Sequence, residues 1–74
     1  MEYDYSALIG RIIEKYGTRA RFADAIGMSR ATFYSRMACD SYWDQAEIER
    51  SCFLLGIAKN DIQRFYFTPK VHKM

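Results

Sequence analysis

Seventy-four residues with a formal net charge of +2 leave room for one small domain and exclude a second core or a deep catalytic cleft. Half of the residues are hydrophobic, enough to build a core without a metal or a disulfide. Cys39 and Cys52 stand thirteen apart and the single His72 lies near the end, so no zinc-ligand spacing exists and neither metal nor cofactor is expected.

Leu8, Ile9, Ile12, Ile13 and Tyr16 follow the three-to-four spacing of one helical face, with Asp4 or Ser6 to cap its start and Gly17 to close it. This predicts a first helix over about 5–16. Thr18 is the N-cap of a short second helix, whose face Phe22, Ala23 and Ile26 ends at Gly27. Ser29 caps a third, anchored by Phe33 and Met37, with Arg30, Ala31, Tyr34 and Ser35 on its other faces. Residues 39–43 read as a loop. Asp44 and Glu47 then form a capping box, with Trp43 and Ile48 placed to staple across it. Ile48, Cys52 and Leu55 line the fourth helix up to Gly56, so Cys52 is a small buried apolar residue. A last short helix over about 59–66 buries Ile62 and Phe65, and Pro69 ends regular structure. The organisation is one all-α domain over 1–69 and a flexible tail over 70–74.

Charge is unevenly placed. Residues 11–36 hold six basic side chains (Arg11, Lys15, Arg19, Arg21, Arg30, Arg36) against Glu14 and Asp24, whereas 37–61 hold five acids against Arg50 and Lys59. One half is built to meet an anion and the other is not. The start, Met1-Glu2-Tyr3-Asp4-Tyr5, has neither the basic region nor the apolar run of a signal peptide, and no stretch reaches membrane-spanning length. The expectation is a cytoplasmic protein with free thiols, no membrane contact and no small-molecule substrate. Without a nucleophile–base pair or a partner for His72, an enzyme is the least expected class.

Between Thr18 and Met37 a capped helix, a small Ala23, Gly27, a new cap at Ser29 and the anchor Phe33 follow in an order that suits two helices crossing closely at a tight turn. Together with Gly10-Arg11-Ile12, Tyr16-Gly17-Thr18, Phe22-Ala23, Gly27-Met28-Ser29, Glu47-Ile48-Glu49, Leu54-Leu55-Gly56-Ile57 and Tyr66-Phe67-Thr68-Pro69, this order resembles the helix-turn-helix domains of phage repressor and Cro-like proteins, above all small regulators of phages and prophages of Gram-positive bacteria. The resemblance implies a lambda-repressor-like bundle of about five short helices in a bacterial host cell, and a sequence-specific transcriptional regulator that reads double-stranded DNA.

By that resemblance Ser29, Arg30, Ala31, Tyr34 and Ser35 face the bases, and Thr18 and Arg19 offer a helix N-terminus to a phosphate, with Arg11, Arg21 and Arg36 as further backbone contacts. Arg36 departs from the pattern, falling where many members place a buried residue, and Asp40 and Asp44 put acids beside a loop that often approaches DNA. Phe53, Phe65, Tyr66 and Phe67 give more apolar surface than a small core needs, so a mixture is expected: packing of the last helix over helices one and four, and a homodimer contact drawn from these four residues. Two alternatives stand beside the operator reading. One is a protein-interaction module, an anti-repressor or adaptor; the other is a DNA-bending recombination factor of the excisionase type.

Overall fold

The computed structural model describes residues 2–71. Local sequence sets the helix boundaries. Helix α1, Ser6–Tyr16, has Tyr5 at its N-cap and no side-chain cap bond, in place of the expected cap from Asp4 or Ser6; just ahead of it Asp4 Oδ1 accepts from the backbone N–H and the hydroxyl of Ser6 (2.9 and 2.5 Å). These two bonds also hold the Asp4 carboxyl below the usual carboxylate range. Thr18 Oγ1 caps α2, Arg19–Ile26, by accepting from the N–H of Arg21, and Ser29 Oγ caps α3, Arg30–Met37, by accepting from that of Thr32. The reciprocal Asp44 and Glu47 bonds open α4, Gln45–Leu55. A 3-10 turn, Lys59–Asp61, leads into α5, Ile62–Tyr66. Among the described residues the architecture is all-helical, five α-helices with a single antiparallel bridge between Tyr3 and Pro69.

Helix α1 packs on α2, α4 and α5, while α2 also packs on α3 and α4. Leu8, Ile12, Phe22, Phe33, Leu55, Phe65 and Tyr66 are essentially inaccessible. Their rings meet edge to face, Phe22 on Phe33 at 6.0 Å and Phe33 on Trp43 at 6.4 Å, and Trp43 passes the series to Tyr66 at 5.5 Å. The buried Tyr66 hydroxyl bonds that of Ser51, which itself donates to the carbonyl of Ile48, so neither is orphaned. Burial in this apolar setting pushes the Tyr66 phenol far above its ordinary value, and the Tyr5 phenol to about 12 for the same reason.

Three expectations change here. The apolar stripe of α1 is narrower than its periodicity, since Ile13 is 44% exposed. Phe65 and Tyr66, expected at a dimer contact, lie wholly inside the core and have no surface to offer a partner. Lys70, expected in a loose tail, is bonded to the N-terminal segment: its N–H donates to the carbonyl of Glu2 (3.1 Å), while that of Asp4 donates to Thr68 (2.8 Å). His72 and the rest of the expected tail beyond Val71 lie outside the described residues.

Candidate binding face

Helices α2 and α3 are joined by three residues. Gly27 sits at φ 76°, ψ 27°, left-handed values that a β-carbon disfavours. The N–H groups of Gly27 and Met28 fold back onto Ala23 and Asp24, closing α2 at once (3.0–3.1 Å). Met28 is buried beneath the turn, so Ser29 emerges ready to cap the next helix. The outer surface of this pair is the candidate face.

The face is less basic than the sequence suggests. Arg36 leaves it altogether: its Nε and Nη2 donate to the two carboxylate oxygens of Glu47 (2.9 and 3.1 Å), and its Nη1 donates to Ser41 Oγ (2.5 Å). The two charged side chains are only 18% and 12% exposed. The guanidinium holds the Glu47 carboxyl below its ordinary value, and the carboxylate raises Arg36 in turn. Glu47 also accepts from the N–H of Asp44 (3.1 Å), so one carboxylate ties the end of α3 to the start of α4. Arg11 is likewise committed inward. Its Nη1 donates to the carbonyls of Leu55 and Gly56 (2.9 and 3.4 Å) at the C-terminal end of α4, and its guanidinium lies 5.2 Å from the Phe65 ring centre. The expected phosphate contacts from Arg11 and Arg36 are therefore replaced by internal bonds.

Thr18 stands at the exposed N-terminus of α2 as a cap, with Arg19 and Arg21 exposed beside it and in no ion pair among the described residues. On α3, Arg30, Ala31 and Tyr34 are exposed, Tyr34 by 46%. Arg30 reaches Asp24 only at 3.9 Å, with both side chains about two-thirds in solvent. Ser29 and Ser35 are already engaged: Ser29 Oγ caps the helix and donates to Thr32 Oγ1 (2.9 Å), and Ser35 shares a hydrogen bond with Ser41 (2.8 Å). The structure thus brings Thr18, Arg19, Arg21, Arg30, Ala31 and Tyr34 onto the surface of one helix pair that also carries the exposed acid Asp24.

The loop after α3 holds the feature that the sequence did not signal. Cys39 adopts φ 63°, the left-handed position usually taken by glycine. The N–H of Cys39 bonds Arg36 and that of Asp40 bonds Ser35, the double closure of a Schellman motif. Its sulfur lies between the backbone N–H and carbonyl of Tyr3 (3.3 and 3.7 Å), tying the loop to the N-terminal segment. Among the described residues no group of His, Cys, Asp and Glu is placed to hold a metal, and no helix is long and apolar enough to cross a membrane.

The chain belongs to the family described as Protein of unknown function (DUF739), which it matches over residues 1–69. It is similar to the solved structure of the modulator of repression (MOR) of the temperate bacteriophage TP901-1 from Lactococcus lactis, at 39% identity over 97% of both chains and a TM-score of 0.82. No curated protein sequence matches significantly. These relationships supply a phage neighbour named for a role in repression. They take the place of the repressor and Cro-like family that the sequence resembles.

Proposed function

We propose, from its likeness to a phage modulator of repression, that this chain regulates phage repression as a binding protein and not an enzyme, and that its partner is a protein of the repression circuit. The observation that carries the choice of a protein over DNA is the withdrawal of Arg36 and Arg11 into internal bonds. A duplex reader draws much of its affinity from phosphate neutralisation. What remains on the α2–α3 pair is three exposed arginines and the exposed acid Asp24, a mixed pattern suited to the charged surface of a protein. The neighbour's name, a modulator of repression, supports the same role.

Operator binding is the second reading, favoured by one observation: Arg30, Ala31 and Tyr34 project from α3 as the residues of a recognition helix would. One experiment separates the two. Bound sequences are selected from a random duplex pool at about 0.15 M salt, and the chain is titrated in parallel with the purified repressor of the phage that encodes it. No enrichment, with saturable repressor binding weakened by Arg30→Glu, is the expected result. An enriched two-fold motif bound on the order of 10³-fold better than a scrambled duplex, with no repressor binding, overturns the protein reading.

A further inference from the structure

Away from the α2–α3 face, the outer side of α4 borders a groove whose second wall is the segment from Ile57 through the start of α5. Its volume is about 690 Å³, within the range of clefts that enclose a whole small ligand and ample for one aromatic side chain. Cys52, Ile57 and Ile62 line it. On the α4 wall stands Phe53, 87% exposed, one helical turn after Glu49; the opposite wall carries Lys59. Neither Glu49 nor Lys59 enters an ion pair among the described residues.

We propose that this groove is the contact by which two copies of the chain associate, each seating its Phe53 in the groove of the other. The patch is self-complementary. A two-fold interface uses the same patch on both copies, so the patch must contain its own knob, its own hole and charges of both signs. Here the ridge that carries Phe53 also carries the acid Glu49, and the wall across the groove carries the base Lys59. In the proposed two-fold pair Glu49 of each copy faces the partner's Lys59, so the pairing occurs twice. A partner of uniform charge would meet one of these rim charges unfavourably. The inference is independent of whether the α2–α3 face binds protein or DNA, since it uses none of that face.

The test is sedimentation equilibrium of the full chain from about 5 to 500 µM at 0.15 M salt, a span that covers the weak affinities of small interfaces. Wild type is expected to dimerise, and Phe53→Ser to weaken association at least tenfold while melting within a few degrees of wild type. Glu49→Lys is expected to weaken it several-fold, and Glu49→Lys with Lys59→Glu to recover most of that loss. A wild-type chain that stays monomeric throughout overturns the proposal, as does a dimer indifferent to Phe53→Ser. A charge reversal that the second reversal fails to rescue overturns the two-fold register.

Discussion

Replacing Arg36 with alanine separates a structural role from a DNA-binding one. In the structure the guanidinium makes two parallel charge-assisted bonds to Glu47 and a third to Ser41, at side-chain exposures of 18% and 12%. Such a bond contributes about 1.5–3 kcal/mol. The substitution removes three bonds, but Glu47 keeps its bond from the Asp44 N–H and partial exposure lets water replace some of the rest. A net loss of about 2 kcal/mol follows. For a domain of this size that lowers Tm by about 8–16 °C. Circular dichroism melts of Arg36→Ala, Glu47→Ala and the double variant give the coupling directly, expected at about 1–2 kcal/mol. The Glu47 carboxyl is depressed in the folded state, so the folded protein binds fewer protons than the unfolded chain. Its contribution is therefore full above the ordinary value near 4.5 and fades as pH falls through the depressed one. Glu47→Gln should flatten that acid limb. A melt of Arg36→Ala within about 2 °C of wild type, with a reduced salt dependence of duplex binding, would refute this account and return Arg36 to the α2–α3 face.

Gly27→Ala meets no clash, since no atom lies within 4 Å of the added carbon, but it forces φ 76° on a residue that disfavours it; a loss of about 1 kcal/mol in urea denaturation is expected. Tyr66→Phe removes a buried hydroxyl whose partner Ser51 keeps its bond to Ile48, so chemical denaturation should show a loss of about 1 kcal/mol. Arg11→Met keeps much of the contact with Phe65 but leaves the carbonyls of Leu55 and Gly56 to water. It should lower Tm by several degrees without altering the affinity of any partner on the α2–α3 face.

Much of the fold was legible because its signals are local. Thr18, Ser29, Asp44 with Glu47, and Gly27 each act on backbone groups within a few residues, so spacing alone sets the helix ends. Burial of Phe22, Ala23, Ile26 and Phe33 follows from the same periodicity. The fate of the arginines was not legible. Arg36 meets an acid eleven residues on and Arg11 meets carbonyls more than forty residues away, partners that exist only once α4 has docked. The departure of Arg36 from the repressor pattern was the one advance signal, since a cation at a buried position demands a counter-charge. Cys39 gave none, because its left-handed turn is held by a thiol bonded across thirty-six residues to Tyr3.

The internal bonds of Arg36 and Arg11 limit the salt dependence of any binding to nucleic acid. Counting Arg11, Arg19, Arg21 and Arg36 as the phosphate contacts gives four phosphates neutralised per copy. Removing the two that are bonded internally leaves two. Affinity for duplex DNA falls with salt at a logarithmic slope of about −0.9 per phosphate, so raising salt from about 50 to 200 mM weakens a four-contact complex about 150-fold and a two-contact complex about 12-fold. The structure predicts the smaller change, with Arg19→Ala lowering the slope and Arg36→Ala leaving it unaltered at temperatures where that variant is folded. A slope near the four-contact value would mean that Arg36 and Arg11 exchange their internal partners for phosphate. In that event the melting temperature of the complex should become independent of the Arg36–Glu47 pair.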